Sequence, residues 1–208
     1  CMGHPGTMPA VNRAAIKKVI EVGLALNGKI SELAQFDRKN YFYPDLPKGY
    51  QISQYPLPLV VGGHLELAGG KKVGLIRIHV EEDTGKLLHD ANSTLVDYNR
   101  AGVPLLELVT EPDLNSAEEV KEFGEELQKI LRYLDASDAD MEKGQLRVEA
   151  NISLRRGSLN QARDLVGRTD SVEESVLGTK VEIKNINSFR FAAAAVEHPG
   201  ARDLRLDA

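Results

Sequence analysis

The sequence has a single cysteine, no tryptophan and only 5% aromatic residues among its 208. No intramolecular disulfide can therefore staple the fold, and the core must come from aliphatic packing. No apolar run approaches the ~20 residues that cross a bilayer, and no secretory leader is recognisable, so the expected setting is cytoplasmic, with an organelle as the alternative, and without a membrane partner. Excess positive charge is lacking too: 26 Lys and Arg stand against 31 Asp and Glu, a net charge of −5. Bulk charge thus disfavours a strongly basic nucleic-acid binder. Hydrophobic residues at 42% and charged residues at 27% place the chain among globular domains rather than disordered ones.

Asn12 precedes a helical run through Leu26, with Ala15, Ile16, Val19, Ile20 and Leu24 at helical spacing and Asn27-Gly28 as the stop. Residues 36–55, rich in aromatics, charges and two prolines, read as an irregular but anchored connection in which Tyr41, Phe42 and Tyr43 lock a loop onto the core. Apolar stretches 57–61, 64–67 and 73–80 alternate with Gly62-Gly63 and Gly69-Gly70, which predicts an antiparallel meander with both glycine pairs as hairpin turns. Ser116 and Glu119 form a capping-box pattern ahead of the stripe Val120, Phe123, Leu127, Ile130, Leu131 and Leu134. Strands are expected at 145–155 and 180–184, a polar surface loop at 157–177, and a helix from near Ser188. Strands broken by isolated helices, without βαβ alternation, predict an α+β fold with an antiparallel sheet and packed helices.

Strand alternation gives the candidate chemistry. Arg77, His79 and Glu81 share one face opposite Ile76, Ile78 and Val80, while Arg147, Glu149 and Asn151 share another, and Glu182 lies between Lys180 and Lys184. Such residues ordinarily form the solvated outer face of a sheet. Glu107 is different: it interrupts the apolar run VPLLELVT at 103–110, where a charge needs a partner. Acids gathered on one sheet face suit a hard divalent cation such as Mg²⁺ and, through it, nucleotide phosphates. Basic residues able to counter phosphate charge include Arg38, Lys39, Lys48, Arg100, Arg147, Lys180 and Lys184. Cys1, taken alone, offers no spacing that would define a zinc site.

The block VDYNRAGVPLLEL at 96–108 resembles the signature of the B subunit of the tRNA-dependent amidotransferases. FDRKNYFYPDLPKGYQISQ at 36–54, RIHVEEDTGK at 77–86, GQLRVEANISL at 144–154 and TKVEIKNINSFR at 179–190 resemble it as well, in the same order. The resemblance implies a catalytic domain similar in fold to glutamine synthetase and the guanidino kinases. It also implies ATP- and Mg²⁺-dependent phosphorylation of the side-chain carboxylate of Glu-tRNA(Gln) or Asp-tRNA(Asn), followed by amidation with glutamine-derived ammonia. The implied partners are a glutaminase (A) subunit, a small C subunit and the misacylated tRNA. By motif, Glu81 or Glu82 and Glu107 correspond to metal ligands, with His79 counted among the metal residues and Glu149 where an Asp is expected. Arg100, Arg147 and Lys184 are candidates for the catalytic neutralisation of phosphate charge, and Arg77 and Asn151 for nucleotide contact.

Against the family pattern, an opening strand with a Glu-x-His pair is expected to lie before Cys1, and helical and tail domains that recognise tRNA are expected beyond this chain. Residues 1–196 thus read as a partial catalytic domain and 197–208 as an atypical tail. Rival readings are an inactive fragment or interaction module that keeps the fold, and a ligase joining amines to small free carboxylates.

Overall fold

The computed structural model describes residue 4 and residues 8–153, 178–186 and 188–197. Cys1, the loop expected at 157–177 and the tail beyond Glu197 lie outside the described residues. The elements are α1 (Arg13–Ala25), β1 (Lys29–Ile30), β2 (Asp37–Asn40), β3 (Tyr50–Ser53), β4 (Val60–Val61), β5 (His64–Glu66), β6 (Lys72–Glu82), β7 (Lys86–His89), β8 (Thr94–Asp97), β9 (Pro104–Thr110), α2 (Ala117–Tyr133), β10 (Val148–Ile152), β11 (Val181–Ile186) and α3 (Phe189–Glu197). Among the described residues every strand pairing is antiparallel, as expected of an α+β chain. The chain divides into two compact units, Cys1–Leu114 with Glu126–Asp138, and Asn115–Glu125 with Ala139–Ala208.

In the first unit β6 is the central strand. It pairs with β4 and β5 along one edge and with β9 along the other, and β1 extends the sheet from β4. The expected meander is replaced by a single hairpin. Val60↔Ile78 and His64↔Gly74 follow one register, so β4 and β5 are one strand interrupted at Gly62-Gly63, and only Gly69-Gly70 turns the chain. The interruption exists because the end of α1 docks there: the His64 amide donates to the Leu26 carbonyl at 2.8 Å. A Cβ on Gly63, whose φ is +103°, would stand 2.5 Å from that same carbonyl oxygen.

α1 begins as expected, with the Asn12 side chain accepting the Ala14 amide at 2.9 Å. Its buried residues are Val19, Val22 and Gly23, joined by Leu26 beyond its end. Leu24 is exposed, because five residues from Val19 lie about 140° round a helix. Gly23 lets the helix approach Val60, whose methyl groups a Cβ would meet at 2.7 Å. Val60 and Ile78, directly paired and fully buried, therefore form the floor beneath α1.

Residues 36–55 hold more order than their composition indicates. β2 and β3 form a hairpin, with Asp37↔Ser53 and Asn40↔Tyr50 at its ends, and β3 lies against β6. Phe42 and Tyr43 do not lock the loop inward, since both are exposed; Leu46 is its buried anchor. The Tyr98 hydroxyl donates to the Pro44 carbonyl at 2.6 Å and ties the loop from outside. β7 and β8 form a further hairpin.

α2 carries the expected cap, with Ser116 Oγ accepting the Glu119 amide at 3.2 Å, while the Glu119 carboxylate accepts from Asn115 rather than from the cap residue. Phe123 and Leu131 are buried along its stripe. In the second unit, β10 pairs with β11 and α3 packs on both. α3 starts where Ser188 Oγ accepts the Phe191 amide, and its Phe189 ring fills the space left by the missing side chain of Gly124.

Candidate functional site

β6 changes phase once along its length. Val73 and Leu75 are buried at odd positions, Ile78 and Val80 at even ones, and the pairing with β9 slips between Leu75 and Arg77. That bulge turns the expected core residue Ile76 outward. It also directs His79 and Glu81 to the face opposite α1, where β3 covers them, so the expected solvated face is buried: His79 is 2% and Glu81 7% exposed. Asp113 holds the phase change, its carboxylate accepting the Gly74 amide at 2.8 Å.

Glu107 on β9 pairs directly with His79, so the two side chains share a face. His79 Nε2 lies 3.7 Å from Glu81 Oε2 and 4.0 Å from Glu107 Oε2. Among the described residues, these three have ligand atoms all within 4.8 Å of one another. β3 supplies the surrounding donors. Gln51 Nε2 donates to Glu81 Oε1 at 3.0 Å and to the Glu82 carbonyl at 2.6 Å, and Ser53 Oγ donates to Glu81 Oε2 at 3.0 Å. Ser53 Oγ also lies 3.3 Å from His79 Nε2. The Tyr41 hydroxyl donates to Gln51 Oε1 at 3.2 Å, and its pKa is raised by burial and by the charges of Asp45 and Glu81. Where β4 stops, the buried Gln54 side chain accepts the Val80 amide and continues the edge of the sheet.

The acids differ in proton affinity. Burial and the neighbouring charge of Glu81 push the Glu107 pKa up, against the opposing influence of His79. Burial acts on Glu81 as well, but hydrogen bonds from His79, Glu107 and Ser53 outweigh it and hold its pKa down. Two carboxylates crowded in this way share either a proton or a cation. Their hard oxygens fit Mg²⁺ by chemistry.

The other predicted residues are differently engaged. Glu82 points away from the cluster into a buried ion pair with Lys48, and its Oε2 accepts the Ile52 amide at 3.0 Å. Arg100 pairs with Asp83 at 3.0 Å and reaches the Thr84 carbonyl. Arg77 stacks on Tyr55, its guanidinium 4.8 Å from the ring centre, while its buried Nε has no partner among the described residues. Glu149, Asn151, Arg147 and Lys184 belong to the second unit. There Lys184 lies 3.8 Å from Glu149 and 3.4 Å from Glu182, all on exposed side chains. Gln51, Ser53 and Gln54 escaped the sequence reading, although the polar alternation in QISQ was a signal for a strand with a polar inner face.

An antiparallel α+β chain whose central strand buries a histidine and a carboxylate, with a second, half-buried carboxylate facing them from the neighbouring strand, has the form of a small catalytic domain built around a polar centre. The chain belongs to the GatB/GatE catalytic domain family, which matches residues 1–206. It is 47% identical over 215 residues to the chloroplastic/mitochondrial B subunit of the glutamyl-tRNA(Gln) amidotransferase of Sorghum bicolor, covering 99% of this chain and 36% of that protein. To the B subunit of the aspartyl/glutamyl-tRNA(Asn/Gln) amidotransferase of Persephonella marina it is 49% identical over 209 residues, covering 99% and 41%. To the B subunit of the same amidotransferase in Thermosipho melanesiensis it is 51% identical over 204 residues, covering 95% and 40%. The chain thus spans about two fifths of the length of these curated relatives.

Proposed function

We propose that the chain supplies the phosphorylating site of a tRNA-dependent amidotransferase, acting on Glu-tRNA(Gln) or Asp-tRNA(Asn) with ATP. The substrate's side-chain carboxylate oxygen attacks the γ-phosphorus and ADP leaves. Ammonia then adds to the acyl carbon, and phosphate departs with its bridging oxygen to leave the amide. The order matters because a carboxylate is a poor electrophile and an acyl phosphate is not. The names of the relatives as subunits support partner subunits, here a glutaminase (A) subunit and a small C subunit. The relatives include bacterial and chloroplastic/mitochondrial proteins, which supports the bacterial cytoplasm or an organelle as the setting. A glutamine synthetase or guanidino kinase-like architecture is part of the same proposal.

The cluster of buried His79 and Glu81 with half-buried Glu107 carries this reading. Glu81 and Glu107 are the residues that would hold Mg²⁺, which supplies neutralisation of the triphosphate when bound. Gln51 and Ser53 fix the carboxylate of Glu81 in place. Arg77, with its unpartnered Nε, is the first candidate for a phosphate oxygen. Arg100, Arg147, Lys184 and Asn151 remain proposed contacts, with Glu82 and Glu149 as proposed further ligands. Glu82 serves only by exchanging Lys48 for the cation.

Isothermal titration of the chain with ATP and Mg²⁺ tests the proposal. Binding heat that disappears in Glu107→Ala, with an unchanged circular dichroism spectrum, is expected. Absence of heat in the wild type would favour the rival, an inactive fragment or interaction module retaining the fold.

A further inference from the structure

We propose that His79 is a positioning residue rather than a ligand: its Nε2–H points at the two acids, Ser53 holds it that way round, and the cation receives oxygen donors from Glu81 and Glu107. This rests on the reading above that a divalent cation occupies the cluster.

A single hydrogen decides the arrangement. A serine hydroxyl has one proton to donate, and Ser53 Oγ has two neighbours, Glu81 Oε2 at 3.0 Å and His79 Nε2 at 3.3 Å. Glu81 takes hydrogen bonds on both oxygens, from Gln51 at Oε1 and from Ser53 at Oε2, and therefore acts as the acceptor. The Ser53 proton is committed to it. Toward His79 the serine offers only a lone pair, so Nε2 must carry the hydrogen. That same nitrogen faces Glu81 Oε2 and Glu107 Oε2 at 3.7 and 4.0 Å.

A nitrogen bearing hydrogen has no lone pair for a metal. The nitrogen that keeps one, Nδ1, is buried without a hydrogen-bond partner among the described residues and points away from Nε2 by the shape of the ring. His79 therefore acts through the carboxylates, as an outer donor that orients metal-bound acids. An all-oxygen set is also what Mg²⁺ selects over zinc-like ions.

The test uses the whole chain labelled with ¹⁵N-histidine, whose five histidines are sorted by the signal lost in His79→Gln. Long-range ¹H–¹⁵N spectra without metal should show His79 with its hydrogen on Nε2, and Ser53→Ala should release it to a mixture of tautomers. With Mn²⁺ as the probe, pulsed electron paramagnetic resonance should show no directly bonded histidine nitrogen. His79→Leu should weaken Mn²⁺ binding roughly 10–100-fold, and His79→Gln, which keeps an N–H donor, should recover most of it. A hydrogen on Nδ1, or a directly coupled nitrogen, overturns the positioning role while leaving the cation site intact. Failure of the wild-type chain to bind Mn²⁺ overturns the cation site itself, and with it the proposed function.

Discussion

Glu107 and Glu81 respond to pH in opposite senses. Burial and the charge of Glu81 raise the Glu107 pKa, so the folded chain prefers its neutral form. The stability this gives is present below the ordinary glutamate range and is lost as pH rises through the raised value. For Glu81 burial is outweighed by the hydrogen bonds from His79, Glu107 and Ser53, which lower the pKa. Its contribution is present above the ordinary range and is lost as pH falls through the lowered value. Without divalent cations, thermal stability should therefore decline as pH rises from the ordinary glutamate range through the raised value of Glu107. Glu107→Gln should remove that decline, matching wild type at the acid end and exceeding it by a few degrees at the alkaline end in scanning calorimetry. Parallel curves for the two proteins would show that the carboxylates do not share the site as described. Glu107 was legible in the sequence because a lone acid among Leu and Val is expensive to bury. Its neighbours Gln51 and Ser53 carried only a weaker signal, the alternation in QISQ, because glutamine and serine next to prolines and aromatics resemble a polar loop.

At the scale of elements, glycine pairs of identical composition do different work. Gly69-Gly70 turns a hairpin, and a Cβ on Gly69 would meet nothing within 4 Å. Gly63 has φ +103° and sits against the backbone of Leu26 and Gly28, where the end of α1 enters the sheet. Gly63→Ala should cost roughly 1–3 kcal/mol through backbone strain and overlap, while Gly69→Ala should stay within about 0.5 kcal/mol. Urea midpoints at constant slope measure both, and equal effects would refute the docking role of Gly63. Sequence separates such cases only when the neighbour is known. The helix caps at Asn12 and Ser116, by contrast, were legible because their partners lie two or three residues away. The bulge in β6 stayed hidden for the same reason as the Gly63 contact: Asp113, which fixes it, is 39 residues from Gly74. One extra residue in the strand leaves its composition unchanged but transfers every later side chain to the other face.

For the whole molecule, the balance of charge decides what the chain can hold by itself. The acids outnumber the bases, 31 to 26, and several of the basic side chains are already committed: Lys48 to Glu82, Arg100 to Asp83, and Lys184 to Glu149 and Glu182. Affinity for a polyanion comes largely from released counterions and needs several unengaged cations along one surface. A small anion such as a nucleotide triphosphate asks for far less, because a bound divalent cation and one or two arginines can balance it. The chain should therefore bind ATP with Mg²⁺ yet retain little uncharged or charged tRNA at about 150 mM salt, with whatever binding appears at low salt vanishing as salt rises. Fluorescence anisotropy with labelled tRNA across a salt series measures this. Micromolar, salt-resistant binding would mean that the remaining bases outweigh the acidic total, and would refute this balance of charge.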